Sequence, residues 1–214
     1  TKLNAPGPRL QPDEVEALVA ATVQAADGAE WVALCGTLPP GAPDDLYATL
    51  VAELHATGVR VAVDASGAAL ARAIVAGPDL IKPNAEELAE AVGRPIETLD
   101  DVLGGARELL DRRVGHVLVS LGGEGAVSVA DDIAVRAWTE PVVPRSTVGA
   151  GDAALAGFLA SNGDDAEALR SAVAWGLAAV RLPGTEMPGP ADIHTDDVSV
   201  EELEAGRALG RRSG

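Results

Sequence analysis

Strand-like and helix-like stretches alternate along this chain, and that alternation constrains its fold more than any single motif does. Parallel neighbours need a dozen or more residues between them, and an intervening helix supplies that length. PDEVEALVAATVQAAD (12–27) opens with Pro12 and acids and carries apolar residues at helical spacing. WVALC (31–35) is a short apolar run that ends in the turn chemistry of GTLPPG. PDDLYATLVAELHATG repeats the helix pattern, and VRVAVD (59–64) is a β-branched run followed by a helix through Ala76. DLIKP reads as a short strand, NAEELAEAVG and TLDDVLGGARELLDRR as helices. HVLVSL (116–121) and GAVSVA (125–130), parted by GGE, read as a hairpin-like pair. Helices are expected over 151–162 and roughly 165–181, with a last helical stretch from near Asp196 into a polar GRRSG tail. The fold class expected is α/β, a mostly parallel sheet with helices on both faces. A chain of 214 residues with 47% hydrophobic content can bury one sizeable core, so one main domain is expected.

In such folds ligands bind beyond the carboxyl ends of the strands. Those ends carry GTLPPG, DASG, KPN and SLGGEG, all rich in Gly, Pro or small polar residues. The net charge of −17 argues against nucleic acid or an anionic membrane as partner. A phosphate-bearing ligand would need local backbone dipoles, a metal ion or a few placed cations. One cysteine, Cys35, leaves no internal disulfide and reads as a buried thiol in an apolar strand. His55, His116 and His194 form no metal-binding spacing. No apolar run approaches a membrane span and no charged-then-apolar leader opens the chain, so a cytoplasmic location is expected.

STVGAGDAALAGFL (146–159) places Gly149, Ala150 and Gly151 just ahead of Asp152. A helix start has unpaired N–H groups and a positive dipole end, and glycine leaves both open to a phosphate. Asp152 could then take a proton from an attacking hydroxyl while the N–H groups stabilise the transferring phosphoryl group. Equally, Asp152 could only cap the helix. NAEE (84–87) carries the same ambiguity: Asn84 and Glu87 fit a capping box, or they organise magnesium and its waters beside a triphosphate, with Lys82 nearby. SLGGEG is either a plain turn or backbone room for a nucleotide at Ser120, Gly122 and Gly125. There is no GxxxxGK[ST], no protein-kinase HRD or DFG set and no GxGxxG after an early strand.

Taken in order, GTLPPG, VDASG, LIKPNAEEL, VSLGGEGA, STVGAGDAALAGF and AWGLAAVRLPGT resemble the ribokinase-like sugar kinases of the phosphofructokinase B family. The resemblance implies Asp152 as catalytic base and Gly149, Ala150 and Gly151 as the anion hole. It implies Lys82, Asn84 and Glu87 at the nucleotide phosphates, with Glu87 reaching magnesium through water. Ser120, Gly122, Gly123 and Gly125, with Thr147 and Val148, would contact ATP, and Ala174 and Gly176 would border the adenine. TKLNAPGP (1–8) is similar to the corresponding stretch of the family's 1-phosphofructokinases, so Lys2, Asn4 and Thr37 are implied at the sugar phosphate. The implied reaction is transfer of phosphate from ATP to fructose 1-phosphate, giving fructose 1,6-bisphosphate. Fructose 6-phosphate and tagatose 6-phosphate are the alternatives, and an unphosphorylated sugar or nucleoside a more distant one. Some members also hold a monovalent cation on backbone carbonyls near Ser146, Val148, Ala179 and Gly184, although Leu182 and Glu186 depart from the commoner residues there.

The family's usual chain carries more sequence ahead of the point where this one begins, including a sugar-binding lid that often forms a dimer contact. TKLNAPGPRL also lacks an initiator Met. Residues 1–214 are therefore expected to be the C-terminal portion of a single ribokinase-like kinase domain, with the N-terminal strands and lid missing. An uncovered sheet edge is expected with it. The competing reading is a nucleotide-binding chain without catalysis.

Overall fold

The computed structural model describes residues 7–131, 133–161 and 163–203. Lys2, Asn4 and the GRRSG tail lie outside the described residues. The chain forms two compact units, Thr1–Ser120 and Leu121–Gly214.

The first unit is a run of strand–helix–strand crossovers. Its helices are α1 (Pro12–Ala25), α2 (Leu46–Ala56), α3 (Gly67–Ala76), α4 (Ala85–Val92) and α5 (Leu99–Asp111). Its strands are β1 (Trp31–Cys35), β2 (Arg60–Asp64), β3 (Leu80–Ile81) and β4 (Val117–Ser120), all parallel and paired in chain order. The register aligns Cys35 with Asp64 and Val63 with Ile81, so the strand exits stand level. Val61, Ala62, Val63, Ile81, Val117 and Val119 are fully buried, the near-continuous apolar run that a sheet covered on both faces demands. Each such valine or isoleucine contributes about 1.5–3 kcal/mol by leaving water.

β1, at one end of that order, is different. Leu34 is buried whereas Ala33 and Cys35 are exposed, the two-residue alternation of a half-covered strand. The expectation of a buried Cys35 is thus corrected: apolar neighbours in sequence do not bury a residue on the open side of an edge strand. Helix α1 likewise buries none of its residues, and Leu18 is 43% exposed. An open groove lined by Val15, Val19, Val23 and Leu46 runs between α1 and α2. Among the described residues β1 pairs on one side only, in line with the uncovered edge expected from the sequence.

The second unit is antiparallel. β5 (Ala126–Ala130) pairs with β6 (Ile133–Thr139), and β6 pairs with β7 (Val198–Leu203). The β5–β6 turn holds Asp131 at φ 44°, in the left-handed region that Asp tolerates better than most residues. Two expectations fail here. Residues 133–139 form a strand that the sequence reading did not mark, and residues 198–203 of the stretch expected to be helical form β7. In VSVEEL the alternation of Val198, Ser199 and Val200 matches a strand, and pairing to β6 overrides the helix propensity of Glu201, Glu202 and Leu203.

α6 (Ala150–Leu159) and α7 (Asp165–Arg181) pack against each other, and α7 also touches all three strands of this unit. Small residues allow the close approach. A Cβ on Gly157 would stand 2.7 Å from Cγ of Trp175, and one on Gly176 would meet Ala154 at 3.4 Å. Leu155 and Leu169 are buried beside this seam.

Candidate active site

Within the first unit, the parallel strands deliver Thr37, Lys82, Asn84 and Ser120 to one end of the sheet. Asn84 follows β3 and bridges in parallel to Ser120 at the end of β4, while the Ser120 N–H donates to the Pro83 carbonyl at 3.0 Å. Asn84 is also the N-cap of α4. Its Oδ1 accepts from the Glu87 N–H at 2.9 Å, and Glu87 Oε2 accepts from the Asn84 N–H at 2.9 Å. The capping box is therefore real, and it occupies one carboxylate oxygen of Glu87, leaving the other for water or a metal-bound water. Structure and binding are compatible here rather than exclusive.

Lys82 is only 6% exposed, and its Nζ lies 2.8 Å from Asp64 Oδ2 at the end of β2. Its charge is thus balanced inside the protein rather than presented to solvent. A half-buried pair of this kind is costly to break, because the remaining partner is left uncompensated, at about 3–5 kcal/mol. Sequence reasoning passed over Asp64, although VDASG placed an acid at a strand exit.

Thr37 is exposed and follows β1 by two residues. The loop that carries it is pinned on both sides. Gly36 adopts φ 92° and its N–H donates to the Asp64 carbonyl at 2.9 Å. Farther on, the Leu10 N–H donates to the Pro40 carbonyl at 2.8 Å, and a Cβ on Gly41 would collide with the Leu10 carbonyl oxygen. Tyr47, on α2, reaches the near side: its hydroxyl donates to the Cys35 carbonyl at 3.0 Å with the Gly36 carbonyl at 3.3 Å. Burial, then the neighbouring Cys35 and Asp64, push the Tyr47 phenol above its ordinary value. Tyr47 was also missed, and its being the one tyrosine of the chain was the available signal.

Within the second unit, Gly149 is the N-cap of α6 at φ 78°, a backbone that only glycine adopts cheaply. Ala150, Gly151 and Asp152 are the first three helical residues. Asp152 is exposed and makes no hydrogen bond or ion pair among the described residues, so the plain capping role is not realised. The N–H groups of this first turn carry the positive end of the helix dipole. Thr147 and Val148 are exposed just upstream. Ser146 Oγ donates to the Gly184 carbonyl at 2.6 Å and accepts from the Val148 N–H at 3.2 Å, which ties this approach to the loop after α7. Of the four residues that the resemblance implies for a cation site, Ser146, Val148 and Gly184 are thereby linked by hydrogen bonds.

Gly122 and Gly123 are exposed and would meet nothing if each carried a Cβ, which leaves open backbone beside them. Gly125 has another reason to be glycine. Its φ is 93°, and a Cβ would fall 2.0 Å from the Ala137 carbonyl oxygen across the β5–β6 ladder. Ala174 is 1% exposed and belongs to the packing of α7, so its side chain faces no ligand; Gly176 fits against α6.

The pattern of the pfkB carbohydrate kinases matches residues 8–192. The 1-phosphofructokinase of Rhodobacter capsulatus is 43% identical over 194 residues, covering 89% of this chain and 61% of that protein. The ATP-dependent 6-phosphofructokinase isozyme 2 of Escherichia coli (strain K12) is 36% identical over 187 residues, covering 85% and 60%. Among solved structures, phosphofructokinase-2 from Escherichia coli in complex with potassium superposes with a TM-score of 0.82 at 34% identity. It covers 90% of this chain and 63% of that one. The chain spans about three fifths of the length of the curated relatives it matches.

Proposed function

The chain belongs to the pfkB family of carbohydrate kinases, and from that premise we propose that it is the C-terminal portion of a kinase domain that phosphorylates fructose 1-phosphate with ATP. The observation that carries the reading is the opening of α6. Gly149 leaves its first N–H groups uncovered, and Asp152 stands three residues on with its carboxylate unengaged. In this reading the Asp152 carboxylate takes the proton of the attacking sugar hydroxyl as the hydroxyl oxygen bonds to the γ-phosphorus of ATP and the bond from that phosphorus to the departing ADP oxygen breaks. The N–H groups at 149–151 stabilise the charge on the transferring phosphoryl group.

The residues present fit ATP and magnesium. Gly122 and Gly123 leave backbone space for a nucleotide, and Glu87 keeps one oxygen beyond its capping bond, enough for a metal that retains most of its waters. Magnesium, when bound, offsets charge on the nucleotide phosphates. Asn84 and Ser120 would hold that end of the site. Thr37, with Lys2 and Asn4, would meet the sugar phosphate. Lys82 acts in this reading through Asp64 rather than on the phosphates directly. A monovalent cation near Ser146 and Gly184, a homodimer in the longer protein and a cytoplasmic location belong to the same proposal. No helix among the described residues is long and apolar enough to cross a membrane.

Fructose 6-phosphate is the second acceptor to consider, favoured by the likeness to an ATP-dependent 6-phosphofructokinase. The test is ADP production by this 214-residue chain with MgATP and fructose 1-phosphate, fructose 6-phosphate or tagatose 6-phosphate. Turnover greatest with fructose 1-phosphate is the expected result. Saturable MgATP binding without ADP from any acceptor would replace the proposal with a non-catalytic nucleotide-binding chain.

A further inference from the structure

Thr37 makes no side-chain hydrogen bond among the described residues, so its position is set by the backbone on either side of it. On the far side, Pro40 is tied to Leu10. On the near side the backbone leaves β1 through Gly36, whose N–H is tied to the Asp64 carbonyl at 2.9 Å but whose φ of 92° and lack of side chain leave a hinge at its carbonyl side. One phenol closes that hinge. Tyr47 is 8% exposed, and its hydroxyl donates to the carbonyl of Cys35, with that of Gly36 within reach, at the two residues immediately before Thr37. A phenylalanine would pack as well in the same place, so packing alone gives no reason for the hydroxyl.

We propose that Tyr47 is a positioning residue for the acceptor, its hydroxyl fixing the backbone after β1 so that Thr37 meets the phosphate of a phosphorylated sugar. This rests on the sugar-phosphate reading given above and deepens it. The hydroxyl touches neither substrate. It acts by removing the freedom that Gly36 would otherwise give to Thr37, so that binding need not order the loop.

The test is a binding cycle in the whole chain with Tyr47→Phe, Thr37→Val and the double variant, titrated calorimetrically with fructose 1-phosphate and separately with MgATP. Tyr47→Phe is expected to weaken fructose 1-phosphate about tenfold while leaving MgATP unchanged, and to have no further effect once Thr37 is Val. Parental affinity in Tyr47→Phe overturns the role, as does an undiminished loss in the Thr37→Val background. If the unaltered chain binds MgATP but none of the sugar phosphates, the acceptor reading itself falls and takes this role with it.

A measurement on the unaltered chain guards against a variant that fails to fold. Tyr47 is its one tyrosine, so phenol ionisation read by ultraviolet absorbance reports this hydroxyl alone. Within the first unit, Cys35 and Asp64, the latter paired with Lys82, are the groups whose charge acts on it. Saturating fructose 1-phosphate should move that ionisation to higher pH, since an added phosphate disfavours the phenolate and a tightened loop favours the donor. Identical titrations with and without the sugar phosphate would overturn the proposal.

Discussion

Helices α4 and α6 begin in the same way on paper: a small or polar residue, then an acid three positions later, Asn84 and Glu87 in one, Gly149 and Asp152 in the other. In α4 the side chain of Asn84 accepts from the Glu87 N–H, the Glu87 carboxylate accepts from the Asn84 N–H, and the turn is closed on itself. In α6 the N-cap has no side chain to offer, its backbone is left-handed, and the acid has no hydrogen-bond or ion-pair partner among the described residues. The difference is one of allocation. A polar N-cap engages one first-turn donor and, here, one oxygen of the acid, whereas a glycine N-cap leaves that donor and the carboxylate for something outside the chain. The first arrangement closes a helix start on itself, and the second leaves a helix start open to a ligand.

The sharpest way to break the comparison is to neutralise each acid's role in turn. Asp152→Asn should lower ADP production with MgATP and sugar phosphate by about 10³-fold. Its urea stability should stay within about 0.5 kcal/mol of the parent, because no internal bond is lost. Near-parental turnover would remove Asp152 from the chemistry. Gly149→Ala forces a Cβ into a left-handed backbone and should cost about 1–2 kcal/mol in urea unfolding, with transfer slowed as the helix start shifts. Unchanged stability would mean that the turn relaxes freely and the left-handed cap matters little.

Asn84→Ala removes a cap whose bonds are present, and should cost about 1 kcal/mol in the same assay. A cost equal to that of Gly149→Ala would erase the contrast. The smallest effect belongs to a third helix start, on α5. There Thr98 Oγ1 donates to Asp101 Oδ2 at 2.7 Å, and the Glu97 and Thr98 N–H groups donate to the same oxygen. These bonds, the Thr98 hydroxyl first, hold the Asp101 carboxyl below its ordinary value. A depressed carboxyl stabilises the fold above its unfolded-state pKa, and that contribution is lost as pH falls through the lower folded value. Thr98→Ala should raise the Asp101 midpoint toward the ordinary value in a carboxyl NMR titration; no movement would show that the backbone donors suffice.

The parallel unit was legible in the sequence because its strands, buried on both faces, read as uninterrupted apolar runs set off by Gly and Pro. The antiparallel unit was less so. Its β6 contains Arg136 and Trp138, its β7 carries Glu201 and Glu202, and the sequence between β5 and β6 is not the Asn-Gly that announces a hairpin. Pairing across a sheet is a long-range fact that neither segment carries alone. The site divides along similar lines. Motif residues were readable because backbone geometry demands them: glycine at 149 and a polar cap at 84. Asp64 and Tyr47 were not, since one is defined by a lysine eighteen residues on and the other by the carbonyls of a strand before it.

The contact of Gly157 with Trp175 and of Gly176 with Ala154 leaves α6 and α7 without a cushion. Long side chains between two helices can change rotamer and take up a small displacement. A backbone set directly against an indole ring cannot. Any shift that a ligand imposes on residues 149–152 must therefore pass undamped into α7 and, through Ser146 and Gly184, into the loop behind it. In this unit the turn at 149–152 is geared to its supporting helix, and the two are expected to shift together.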